Sequence, residues 1–258
     1  MIAERDAVLG VADGPSLQAR LALPEAPSGG IVVCHPHPLY GGDMDNPVVV
    51  RIAEVAHALG FATLRFNFRG VSGSTGLHDE GRGERVDVEA ALDYLAALIG
   101  NSPLALAGYS FGAAMAVSVA ARRQGLAGLA LIAPPLTMRE LPELWALASF
   151  PDPLLVVAGT ADEYCPPAAL ERLRGTAPRA AIRAIEGANH FFFGKLFPLG
   201  EVIGEWAREV LGAARRPENL GRRDGVAVPA ERMIRMPSST LRPIEIVSAR
   251  GTTMMSPR

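Results

Sequence analysis

Residues 104–112 read Leu-Ala-Leu-Ala-Gly-Tyr-Ser-Phe-Gly and run into Ala113-Ala114-Met115-Ala116. An apolar run long enough for one buried strand meets Gly-x-Ser-x-Gly, and a stretch of small residues follows. The pattern predicts a strand, a sharp turn and then a helix, with Ser110 on the turn and its hydroxyl exposed. The flanking glycines have a steric reason. A serine held in a strained backbone conformation leaves no room for side chains two residues before and after it, which suits Gly108 and Gly112.

The short pattern is not decisive by itself. With 27 glycines and 12 serines in 258 residues, chance supplies about 0.13 copies. Context has to carry the argument, so a serine nucleophile needs a base and an orienting acid further along. For a serine on such a turn the chain order is serine, then acid, then histidine. Of the five histidines (His35, His37, His57, His78 and His190), only His190 follows Ser110. It comes after an alternating segment, 181–186, and a Gly187-Ala188-Asn189 loop. Seven acids lie between the two residues: Glu140, Glu143, Asp152, Asp162, Glu163, Glu171 and Glu186. Asp162 is the best placed, just beyond the apolar run Pro153-Leu-Leu-Val-Val-Ala-Gly159, which reads as a buried parallel strand. Sites in open α/β sheets form at that carboxyl edge. Glu163 is the fallback, and Asp162 also suits a helix cap before Pro166-Pro167.

These residue types suit acyl transfer. A serine hydroxyl is a poor nucleophile at neutral pH, and an imidazole can take its proton and return it to a leaving group. A buried carboxylate then fixes the tautomer and stabilises the transient imidazolium. A second apolar strand, 30–34, runs into His35-Pro36-His37-Pro38-Leu39-Tyr40-Gly41-Gly42, where an oxyanion donor is expected beside the Phe111 amide. Pro36 and Pro38 have no N–H, so His37 or Leu39 must supply it, and His37 is favoured. His35-x-His37 is also half of a metal site, but such a site needs three or four ligands and no third histidine sits at useful spacing. The preferred role for His35 is to hold the loop's shape through backbone hydrogen bonds.

At this point the chain resembles the α/β-hydrolase superfamily, and within it small lidless bacterial serine hydrolases similar to dienelactone hydrolases. The resemblance rests on Cys34-His-Pro-His-Pro-Leu-Tyr-Gly-Gly-Asp-Met-Asp-Asn46, Phe66-Asn-Phe-Arg-Gly-Val71, Gly81-Arg-Gly-Glu84, Gly108-Tyr-Ser-Phe-Gly112, Gly159-Thr-Ala-Asp162 and Gly187-Ala-Asn-His190. It covers roughly residues 6–212 and implies a Ser110–Asp162–His190 triad with no cofactor and no metal. Dienelactone hydrolases use a cysteine nucleophile, so Ser110 argues against carrying over that activity. Relatives read Arg-Gly-x-Gly-x-Ser where this chain has Arg69-Gly-Val-Ser72-Gly-Ser74, so the loop is expected to differ at Ser72. Arg69 is expected to tie loops together rather than touch substrate.

The rest of the chain agrees with an α/β fold. A hairpin is expected at 6–11 and 16–23, then strands near 30–34, 61–68, 103–108, 126–133, 153–159 and 180–186. Helices are expected near 46–59, 84–99, 111–123, 166–174 and 200–211. The alternation predicts a mostly parallel, doubly wound sheet covered on both faces, with an antiparallel hairpin at its N-terminal side. Only Leu136 to Phe150 is available for a lid, so the site should be open or thinly covered. Leu39, Tyr40, Trp145 and Phe191 are candidate pocket residues; Trp145 with Leu141, Leu144, Leu147 and Phe150 suits a pocket wall and packing on the sheet equally well. Of Phe191-Phe192-Phe193, at least one ring should be core.

Residues 1–212 read as the catalytic domain. Residues 213–258 hold nine arginines against four acids and little periodicity, and read as a disordered or loosely attached tail. Ile244-Glu-Ile-Val247 is the one segment there that can pair as a short strand. A formal net charge of −2 gives no reason to expect nucleic acid. With two cysteines, Cys34 and Cys165, and no secretory pattern, free thiols and a cytoplasmic location are expected. No apolar run is long enough to span a membrane, so no membrane partner is expected. The expected partner is a small ester-like molecule. The competing readings are a non-catalytic binding protein on the same fold, a peptidase, and a cofactor-free perhydrolase; oligomeric state is left open.

Overall fold

The computed structural model describes residues 3–12, 14–138, 147, 150, 153–212, 244–247 and 253–255. Strands β1 (Arg5–Gly10) and β2 (Ser16–Ala22) form the antiparallel hairpin, and β2 pairs antiparallel with β4 (Ala62–Phe66). From there β4, β3 (Gly30–Cys34), β5 (Leu104–Tyr109), β6 (Leu126–Ile132), β7 (Leu154–Gly159) and β8 (Ala181–Ile185) run parallel in that spatial order. The order in which strands are added reverses at β3, which lies between β4 and β5, while their direction stays the same. The carboxyl ends of all six parallel strands therefore share one edge, where α/β sheets build their sites.

Alternation along each strand sends side chains to two cores. Val32, Cys34, Leu106, Leu129 and Val156 pack on one face with α2 (Arg82–Ile99), α3 (Phe111–Ala120) and α4 (Pro167–Thr176). Ile31, Val33, Ala107, Ile132 and Val157 pack on the other with α1 (Pro47–Ala58) and α5 (Leu196–Leu211). Every residue of α3 is buried, which explains a sequence that is apolar apart from Ser118 and rich in small residues. Helix α1 starts as read: Asn46 Oδ1 accepts from the Val48 amide at 3.0 Å, with Pro47 at the first helical position.

Within 213–258 the described residues make two strands. Strand β9 (Glu245–Val247) extends the sheet in parallel beside β8, and β10 (Thr253–Met255) pairs antiparallel with β9. Ile244 is buried in the core and Arg183 pairs with Glu245 at 3.1 Å. Within the segment read as loosely attached, the stretch singled out as able to pair, 244–247, does so, and its backbone covers the edge of the sheet beside β8. The other tail residues lie outside the described ones. Among the described residues, no helix is long and apolar enough to cross a membrane.

Candidate active site

Ser110 caps β5 with φ 54° and ψ −113°, a conformation that L-residues rarely adopt. Tight packing holds it there. A Cβ at Gly108 would lie 2.2 Å from the Gly112 carbonyl oxygen, and one at Gly112 would lie 2.4 Å from the Cys34 carbonyl oxygen. The second contact presses the start of α3 against the end of β3, and so brings the serine turn next to the loop after Cys34.

The loop carrying Asp162 and the loop carrying His190 are laced together by backbone. Thr160 N–H donates to Ile185 and Ala161 N–H to Ala188, at 3.0 and 2.9 Å, while the Gly187 amide donates to Thr160 Oγ1 at 2.8 Å. Asp162 is buried, and its Oδ1 accepts from the Tyr164 and Cys165 amides at 2.9 and 3.0 Å. His190 Nδ1 lies 3.0 Å from both Asp162 oxygens, and its Nε2 lies 3.0 Å from Ser110 Oγ. With Nδ1–H donated to the carboxylate, Nε2 is left as an acceptor for the serine proton. The three side chains singled out in the sequence therefore meet in one hydrogen-bonded line at the sheet's carboxyl edge.

The loop after β3 is shaped by His35. Its Nδ1 donates to the Pro36 carbonyl at 2.6 Å and its Nε2 accepts from the Phe68 amide at 3.0 Å. Burial lowers its pKa to about 4, so the ring is neutral. Both nitrogens are engaged, which removes His35 as a metal ligand and agrees with the role read for it. The Leu39 amide donates to His37 Nδ1 at 3.2 Å, within a short 3-10 turn at Pro38–Tyr40. The His37 ring packs against Phe111, with centroids 4.8 Å apart.

Arg69 makes a buried set of bonds with Asp87. The carboxylate accepts from the Arg69 amide at 3.0 Å and from Nη2 at 2.7 Å. Gly83 leaves room for the guanidinium, since a Cβ there would lie 2.2 Å from Nη1. This matches the structural role read for Arg69. Ser72 has φ 50°, a left-handed position that suits the glycine expected there and that the serine adopts instead.

Of the pocket residues, Leu39, Tyr40 and Phe191 are exposed on the rim. Trp145, Leu141 and Leu144 lie outside the described residues. Leu147 and Phe150 are buried in the core, the second of the two roles open to them in the sequence. Phe192 is the core ring of its triplet, fully buried with φ 53°. Cys34 and Cys165 are free, buried thiols, and burial raises the pKa of each.

Two features escaped the sequence reading. The buried Tyr109 hydroxyl donates to the His190 carbonyl at 3.0 Å and pins the histidine loop to β5. His78 stacks toward His37 and Phe111, with centroids 5.2 and 5.8 Å away, and its Nδ1 lies 2.6 Å from Glu84 Oε1, off the hydrogen-bond axis. Glu84 is fully buried and accepts from the Asp79 and Gly81 amides. Its place three residues after Gly81, at a helix start, is a capping signal that was legible.

The model of the α/β hydrolase domain matches residues 32–196. An uncharacterized protein of Rickettsia prowazekii, RP471, is 34% identical over 207 residues, spanning 75% of this chain and 86% of that protein. An α/β serine hydrolase homologue from Coxiella burnetii superposes with a TM-score of 0.72 at 34% identity, covering 80% of this chain and 97% of that one. XC6422 from Xanthomonas campestris, described as an α/β serine hydrolase without a lid, gives a TM-score of 0.72 at 31% identity over 81% of this chain and 96% of its own. The chain belongs to the α/β-hydrolase family. Its fold is that of the small lidless serine hydrolases.

Proposed function

We propose that the protein is a serine hydrolase that cleaves a carboxylic ester or thioester through an acyl-enzyme. Ser110 Oγ attacks the carbonyl carbon as His190 Nε2 takes its proton. The carbonyl π pair moves onto oxygen, where the Phe111 and His37 amides receive it. The intermediate collapses, the bond to the leaving group breaks, and His190 returns the proton to the departing alkoxide or thiolate. Water then attacks the acyl-serine as His190 takes its proton; the acyl–Oγ bond breaks, the acid leaves and His190 returns the proton to Ser110 Oγ. Asp162 keeps the proton on Nδ1 throughout and stabilises the imidazolium. Every step uses groups of this chain.

The observation that carries this reading is the line from Ser110 Oγ through His190 to Asp162, each link 3.0 Å long. The assignment of His37 is supported by the Leu39 amide, which is already given to the His37 ring. Ester and thioester are preferred to amide because an alkoxide or thiolate leaves more readily than an amine anion. The test is a panel of 4-nitrophenyl esters of increasing acyl length. The parent protein should hydrolyse at least one member, and Ser110→Ala or His190→Ala should lower kcat by roughly 10³- to 10⁶-fold with the fold intact. No turnover of any ester or thioester by the folded parent, or unchanged rates in either variant, would reject the assignment.

A further inference from the structure

The exposed large apolar side chains are concentrated at one edge of the sheet. Leu39 and Tyr40 follow β3, Leu77 follows β4, Met138 follows β6, and Phe191 and Phe193 follow β8; each is 50–83% exposed. Phe197, also exposed, opens α5 just beyond them. Among the described residues, only Val8 and Leu98 are exposed large hydrophobics elsewhere. Because the six parallel strands point the same way, these side chains surround the edge that carries Ser110, Asp162 and His190.

We propose that this collar seats the protein on aggregated amphiphilic esters, so that its substrates are water-insoluble esters taken from a lipid–water interface. Exposed apolar side chains gathered at one edge of a folded protein mark something that covers them. The position of the nucleophile decides what that is. A permanent protein partner or a second copy on the collar would seal Ser110 away from substrate. The substrate phase itself covers the collar and delivers the ester carbonyl in one event. Ring contacts lead inward from both sides of the rim. Tyr40 packs on His37 and His37 on Phe111, each at 4.8 Å, while Phe193 stacks on Phe191 at 5.5 Å and Phe191 meets His190 at 5.6 Å. The apolar part of a substrate laid along these rings has its carbonyl near Ser110. Such peripheral seating needs no spanning segment, so it departs from the sequence expectation of no membrane contact, which rested on spanning runs alone. The substrate class rests on the esterase reading, whereas the seating itself needs no turnover.

The test is flotation of the full-length protein and of Ser110→Ala with vesicles of dioleoylphosphatidylcholine, at low and high salt. Neutral lipid keeps the arginine-rich C-terminal segment from supplying the attraction. Both proteins should float with the vesicles, with little salt dependence. The combined variant Leu77→Ser, Met138→Ser, Phe197→Ser, which leaves the rings leading to Ser110 and His190 intact, should bind at least about tenfold more weakly. It should hydrolyse a soluble short ester, 4-nitrophenyl acetate, at the parent rate and keep the parent circular dichroism spectrum. Failure of the folded parent to float, equal binding by the combined variant, or a parent dimer that this variant converts to monomer would each overturn the proposal. Vesicle binding by a parent that hydrolyses no ester would remove the esterase reading and the substrate class together, leaving a lipid-seating surface alone.

Discussion

Gly159 and Ala188 meet backbone to backbone: a Cβ at position 159 would lie 2.0 Å from the Ala188 carbonyl oxygen. That approach lets the end of β7 and the loop after β8 close on each other, which places Asp162 and His190 within 3.0 Å. Gly159→Ala should force the two loops apart. Because the obstacle is backbone, the neighbour cannot rotate away. We expect esterase activity to fall by about 10²-fold or more, with far-ultraviolet circular dichroism close to the parent. Parent-like activity in Gly159→Ala would show that the close approach does not set the site's geometry.

Asp162→Asn keeps the side chain's shape but replaces the acceptor that fixes the His190 tautomer. An amide that donates toward Nδ1 would leave the proton on Nε2, where it opposes Ser110. We expect kcat to fall by roughly 10³- to 10⁴-fold with KM little changed. A loss confined to KM would assign Asp162 to binding rather than to orienting the histidine.

His35 makes stability depend on pH. Its pKa is lowered to about 4 in the fold from an ordinary 6.5. Between these values the unfolded chain binds the proton and the folded one does not. The neutral form's contribution is therefore complete above pH 6.5 and is lost as pH falls toward 4, by up to about 3 kcal/mol. Denaturant unfolding across that range should show stability falling with acid, and His35→Gln should flatten the slope. The same slope in the variant would assign the acid sensitivity to other groups.

The Arg69–Asp87 pair is a matter of stability rather than chemistry. Burial raises the Asp87 pKa while its bonds to Arg69 oppose that shift. Asp87→Ala removes the carboxylate from a buried guanidinium and an amide, and should cost about 3–5 kcal/mol. Urea unfolding measures the loss directly. A cost below about 1 kcal/mol would mean that solvent or neighbouring groups replace the carboxylate.

Much of this architecture was legible in local signals. The strained serine turn announces itself through Gly108 and Gly112, the strands through continuous apolar runs, and helix α1 through Asn46-Pro47. His190 followed from order along the chain. Other features depend on pairings remote in sequence. Nothing local in Gly159 tells of Ala188, nothing in Tyr109 tells of the His190 carbonyl, and His35 accepts from Phe68 across 33 positions. Leu147 and Phe150 show why short apolar segments stay ambiguous: the same residues suit a pocket wall or a core, and only their tertiary packing decides. Ile244-Glu-Ile-Val247 stood out as able to pair, but its partner, the edge strand β8 some sixty residues earlier, is not written in so short a segment. The collar was half visible. Leu39, Tyr40 and Phe191 were read as pocket residues, but their gathering with Leu77, Met138 and Phe193 needs the parallel sheet that aligns their loops.

The most direct test of the central claim is mass spectrometry of the protein after treatment with a fluorophosphonate. The account predicts one covalent adduct, mapped by peptide sequencing to Ser110, formed rapidly by the parent and far more slowly by His190→Ala. An unlabelled but folded parent, or an adduct on a serine other than Ser110, would contradict it.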